Sequence, residues 1–206
     1  MKFLELIDCL RKDCNTYHFC KDGLKGVAKA TSVEDCVALL KDNIVWCLDS
    51  PYHQAIAENI ESWFEQWPEA FWHCGVFVNE APDNAKSMMI ITRPTDFLLS
   101  DHNRVAVEKF QRCFVFGTAE LTVRAWNHSV VYCKNPNAEV FLYDKALGYC
   151  KQVKSISAKN RSVVYAEHTH LVTCTDWSEV HLTADCDLVH PYHLGKVNII
   201  EKFNFQ

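Results

Sequence analysis

The chain has 206 residues, 49% hydrophobic and 23% charged, with a formal net charge of −5. This is the composition of an ordinary folded chain, not a disordered one. The acidic balance argues against a nucleic-acid partner, and no apolar run approaches the roughly 18 residues that a membrane span needs.

Asp and Glu interrupt the first 14 residues, which lack the apolar stretch of an export signal, so a cytoplasmic setting is expected. Phe3, Leu6, Ile7 and Leu10 recur at helical spacing and predict a helix over 2–13. Ser32 followed by Asp35 is a capping pattern, with Val37, Leu39 and Leu40 inside the helix it would start. Pro51 opens a further helical stretch whose Ile56, Ile60, Trp63, Phe64 and Trp67 form one apolar side, and Pro68 closes it. After Gly75, residues 76–79 and 87–92 read as strands around a Pro82-Asp83-Asn84 turn. The expected organisation is a helical module over 1–74 and a bridging β-segment over 75–112, which could supply imperfect first coils to a repeat that begins at Cys113.

From Ala138 the chain divides into octads: AEVFLYDK, ALGYCKQV, KSISAKNR, SVVYAEHT, HLVTCTDW, SEVHLTAD, CDLVHPYH. Slots one, three and five are mostly small or β-branched, and slots six to eight are turn-like. The third slot reads Val140, Gly148, Ile156, Val164, Val172, Val180, Leu188. Upstream, SVVYCKNPN carries one extra residue, and LTVRAWNH and CFVFGTAE carry the register back to Cys113. A five-residue strand cannot bury its face alone, but stacked octads bury a continuous core and pair in parallel ladders. Eight residues are too few for a closed coil. The fold class expected is therefore α+β: a small helical N-terminal module followed by a short two-sheet parallel β-solenoid of about 16 residues per coil. The solenoid spans 113–193, with 194–206 as a tail or cap.

Alternate octads test that geometry. The outward fourth slots of one set are Phe116, Tyr132, Tyr149, Tyr165 and His181, an aromatic ladder. The other set is mostly polar, with Arg124, Glu139 and Asp187 spaced along the rod. A stripe of stacked rings is seldom left bare on a monomer. It is expected either to be roofed by the tryptophan-rich helix or to serve as an interaction face for a protein partner or for self-association.

Chemistry-bearing clusters are sparse. Of the eleven cysteines no two have C-x-x-C spacing, and Cys113, Cys133, Cys150, Cys174 and Cys186 fall on inward slots as small apolar residues. His168, His170, His181, His190 and His193 gather late in the chain, but in this register His168 is a turn residue, His170 inward and His181 outward. No metal site and no cofactor are expected. His73-Cys74 lacks the surroundings of a thiol nucleophile, and nucleotide-loop and hydrolase motifs are missing.

Tandem octads such as SVVYAEHT and KSISAKNR, together with Gly75-Val76-Phe77-Val78-Asn79 after a helical segment, resemble the uncharacterised octad-repeat β-solenoid proteins of gut Bacteroidales and their phages and mobile elements. The resemblance implies the solenoid fold and a phage or mobile-element origin, including life as a phage product inside a host cell. It implies no catalytic residues. The function expected is a non-enzymatic interaction or scaffold protein. The alternatives are a glycan- or nucleotide-binding β-solenoid and a β-helix hydrolase or lyase.

Overall fold

The computed structural model describes Glu5, Asp8 and residues 21–50, 53–80, 87–93, 104–107 and 112–202. The helix expected over 2–13 and the Pro82 turn fall largely outside them. The helical module comprises α1 (Lys21–Lys29), α2 (Val33–Asp42), α3 (Ile44–Asp49), α4 (His53–Gln66) and α5 (Pro68–His73). Ser32 caps α2 in a full capping box: its side chain accepts from the Asp35 amide at 3.0 Å, and Asp35 Oδ2 accepts from the Ser32 amide at 3.0 Å. Pro68 does more than close α4. It occupies the first turn of α5, where a missing amide proton costs nothing.

Fourteen strands follow: β1 (Val76–Val78), β2 (Met88–Ile91), β3 (Arg104–Val107), β4 (Arg112–Val115), β5 (Leu121–Ala125), β6 (Val130–Cys133), β7 (Ala138–Leu142), β8 (Leu147–Lys151), β9 (Ser155–Ala158), β10 (Val163–Glu167), β11 (Leu171–Cys174), β12 (Glu179–Thr183), β13 (Leu188–Pro191) and β14 (Lys196–Ile200). They form two parallel sheets. The large one runs β1-β2-β4-β6-β8-β10-β12-β14, and the small one β3-β5-β7-β9-β11-β13. From β2 onward successive strands alternate between the two sheets, which makes a β-solenoid of about five turns and about 17 residues per turn. β1 and β2, in the stretch read as a bridge, extend the large sheet, and β14, in the stretch read as a tail or cap, pairs with β12.

The interior is apolar and narrow. Val123, Val140, Ile156 and Val172 from one sheet meet Val131, Cys133, Cys150, Val164, Ala166, Val180 and Leu182 from the other, all at or near zero exposure. Gly148 breaks the β-branched third slot for a steric reason: a Cβ there would lie 2.5 Å from Leu142 Cδ1. Leu142 fills the space that a valine would take. Slot one of the large sheet holds Ser129, Ala146, Ser162 and Ser178, all buried. Ser178 Oγ lies 2.6 Å from the Thr175 carbonyl and 3.0 Å from the Ala158 carbonyl, so it ties its corner to the coil before it. Ser162 does the same with Lys159 at 2.9 Å and Leu142 at 3.3 Å.

The register departs from the octads at three places. Phe114, not Phe116, pairs with Tyr132, because the coil from Arg112 to Val130 carries extra residues in the corner at Gly117, whose φ is 82°. Val189, not Leu188, pairs with Val172, because one extra residue sits in the corner around Asp185 and Cys186. His170 is exposed rather than inward. The corners into the small sheet bury the residue before slot one, Val153 or Thr169, and turn Lys154 and His170 to solvent.

Candidate interaction surfaces

The aromatic ladder exists, shifted at its start. Phe114 and Tyr132 stack at 4.7 Å, Tyr132 and Tyr149 at 5.0 Å, Tyr149 and Tyr165 at 5.3 Å, and Tyr165 and His181 at 4.6 Å, with ring planes within 14° of parallel. In-register parallel pairing forces this, since equal slots on successive coils sit one strand spacing apart. The helices cover its beginning. Val37, Leu40, Ile44, Leu48, Ile56, Ile60, Trp63 and Phe71 form one core with Met88, Ile90, Phe114, Phe116 and Tyr132, and Tyr149 is partly buried at its margin. Phe116 lies outside the stack, fully buried, with its ring 5.3 Å from that of His53. Tyr165 and His181 lie further along and are partly exposed.

A charged row runs beside the ladder at slot six. Lys151 Nζ lies 2.7 Å from Asp49 at the end of α3 and 3.4 Å from Glu167, and Lys134 lies 3.6 Å from Asp49. Asp49 thus fastens the helices to two successive coils. His53, packed between this row and Phe116, has its basicity lowered from 6.5 to about 4, first by burial and then by the Lys134 cation, against an opposing pull from Asp49. Slot six reads as part of a turn in the sequence, so the octads alone give no sign of this row.

The row continues into Glu167, His168 and Asp185, whose ligand atoms lie within 4.8 Å of one another. Asp185 sits 2.7 Å from His168 Nδ1, and Thr183 donates to the same carboxylate. The set could hold a cation, but Lys151 and Thr183 already serve two of its three members. The remaining histidines do not join it: His170 Nδ1 contacts Asp187 at 2.6 Å, and His181 Nε2 contacts Glu179 at 3.3 Å. On the small sheet, Arg124 lies over the Phe141 ring at 5.6 Å and Glu139 pairs with Lys154 at 2.7 Å. Arg124, Glu139 and Asp187 therefore each have a separate neighbour and do not form one pocket. Burial raises the Cys113 and Cys150 thiols to about 12 and holds Cys133 well above its usual value, so these thiols stay protonated and inert.

The corner after the small sheet carries a groove of about 820 Å³, lined by Asp144, Asn160, Arg161, Asp176, Trp177 and His193 among others. Asp144, Asn160 and Asp176 at slot seven, and His193 one slot later because of the inserted residue, are in left-handed backbone, with φ between 54° and 61°. Asn160 Nδ2 donates to Asp144 Oδ1 at 3.0 Å. Trp177 is 65% exposed and Leu194 54%. With Tyr192 and Ile199, these are four of the five large apolar side chains exposed among the described residues, and all four lie on the last coils.

No family model matches the chain, and neither a curated protein nor a solved structure matches it. Among the described residues no helix is long and apolar enough to cross a membrane.

Proposed function

We propose that the protein is a non-enzymatic interaction scaffold whose working surface is the open end of the solenoid. The observation that carries this reading is the concentration of Trp177, Tyr192, Leu194 and Ile199 on the last coils, while the helices cover the outer face of the large sheet at its first strands. Exposed aromatic and aliphatic side chains gathered in one place mark contact sites. Tyr149, Tyr165 and His181 extend the surface along the large sheet, whereas Phe116 and Tyr132 are committed to the core under the helices. The resemblance of the octads to those of gut Bacteroidales and their mobile elements supports an accessory role in such an element.

The groove favours one second reading, a glycan site. Trp177 offers a flat apolar face beside the carboxylates and amide of Asp144, Asn160 and Asp176, a pairing suited to a sugar ring and its hydroxyls. One experiment tests both readings. Tagged wild type and a Trp177→Ala/Leu194→Ser variant are compared by quantitative co-purification from the source cells and on a glycan array. A protein captured in stoichiometric amount by the wild type and lost by the folded variant supports the scaffold. Array binding lost with Trp177 supports the glycan site. Identical captured proteins for both chains, with no glycan bound, defeats both readings.

A further inference from the structure

Among the described residues, nothing roofs the core at the last coil. Ile199 stands over Leu182 in the ladder, yet Leu182 is fully buried and Ile199 is 67% exposed. Val197, Val189 and Pro191 occupy the other inward positions of this last coil, above Val180, Val172 and Cys174. Stacked repeats need a polar end cap, and this coil presents an apolar one.

The two edges of that coil differ. The Tyr192 amide donates to the Cys174 carbonyl at 2.8 Å, so the alternate position, Pro191, faces outward and has no amide proton. Proline there blunts the edge of the small sheet. In β14 the Lys196 amide donates inward to the Ser178 carbonyl at 2.9 Å, so the backbone groups of Val197 and Ile199 point out of the ladder. Lys196, at the start of the strand, is the one charge in Lys196–Ile200, which is otherwise regular and without proline.

We propose that this end binds a second copy of the chain, with β14 pairing antiparallel to β14 of that copy about a two-fold axis through Asn198. The pattern Lys196-Val197-Asn198-Ile199-Ile200 is self-complementary in this register. Val197 faces Ile199 of the second copy and the reverse, and these are the residues whose backbone groups have no ladder partner among the described residues. Asn198 meets its own symmetry mate on the solvent side, and the two Lys196 ammonium groups are held at opposite ends of the pair. The axis is normal to the large sheet, so both inward faces stay on one side and the two cores become continuous. A head-to-tail stack would have only the three-residue β1 to meet at the other edge of the sheet, with α4 and α5 packed beside it. The proposal deepens the scaffold reading and rests on it for the open end being a contact surface.

Light scattering on the full chain tests it. The wild type is expected at twice 23.7 kDa, and Ile199→Lys at the single mass with unchanged circular dichroism. Should Ile199→Lys fail to fold, a cysteine pair decides. Asn198→Cys should give a disulfide-linked dimer on mild oxidation, because facing non-hydrogen-bonded positions place their Cα atoms about 4.5 Å apart. Lys196→Cys, opposite Ile200, should not. A wild type that stays at the single mass across the accessible concentration range overturns the proposal. So does a dimer that survives Ile199→Lys, or one that cross-links at position 196 and not at 198. The scaffold reading is judged separately, since Trp177→Ala and Leu194→Ser leave the β14 edge untouched.

Discussion

At the scale of single residues, the side chains that mattered most were those whose environment, not type, set their role. His53 is the clearest case. It sits between Phe116 and the Lys134–Asp49 pair, with a pKa of about 4 in the fold against 6.5 outside it. The unfolded chain therefore binds the extra proton first as pH falls. Stability should be full above about 6.5 and decline between about 6.5 and about 4. The loss attributable to this ring is on the order of 2 kcal/mol, since it is partly solvated. Urea titrations across that range should show His53→Phe with a flatter profile than the wild type. Parallel profiles would remove His53 as the source. Nothing in the sequence marked His53, because its burial depends on how α4 lands on the sheet. Gly148 was visible as an exception in the octads, but its cause, the reach of Leu142 across the interior, was not.

At the scale of the element, the unit is a strand and its corner. The strands were legible because alternation at period two inside a period of eight leaves one solution for which side faces in. The corners were not, because an inserted residue in a turn carries no apolar signal. That is why Phe116 was expected where Phe114 stands, and Leu188 where Val189 does. Most corners share left-handed backbone at slot seven: Asn127, Asp144, Gln152, Asn160, His168 and Asp176 have φ between 51° and 61°, and so does His193 one slot later, after the inserted residue, whereas Asn135 and Ala184 do not follow the rule. Asn and Asp tolerate this region, while an ordinary side chain pays about 1 kcal/mol or more. Gln152 is the poorest fit of the set. Gln152→Gly should gain up to about 1 kcal/mol, and Asn160→Ala should lose about as much. Thermal melts of the two variants decide the matter: a Gln152→Gly protein that melts as far below wild type as Asn160→Ala would refute the rule.

At the scale of the whole molecule, two bodies share a seam. The helical module and the coils were both legible, and so was the need for the tryptophan-rich helix to find an apolar partner. The charged fastening through Asp49, Lys134 and Lys151 was not, because it joins residues about a hundred positions apart. Tyr132→Ser should open the seam, since it removes a ring stacked on both sides and covered by the helices, at a cost of roughly 3 kcal/mol. Limited proteolysis should then cut within residues 53–73 while the β signal persists. A single unchanged transition for helices and sheet would mean that the seam does not depend on this ring. From β3 onward every ladder joins residues 16 to 18 positions apart, as Val163 with Glu179 and Arg112 with Val130. No strand waits for a distant segment. Each coil is the template on which the next one closes, at nearly the same loop entropy every time. Such a chain zips rather than condenses. With the helices holding its first coils, the zipper starts at the end that is synthesised first and runs toward β14.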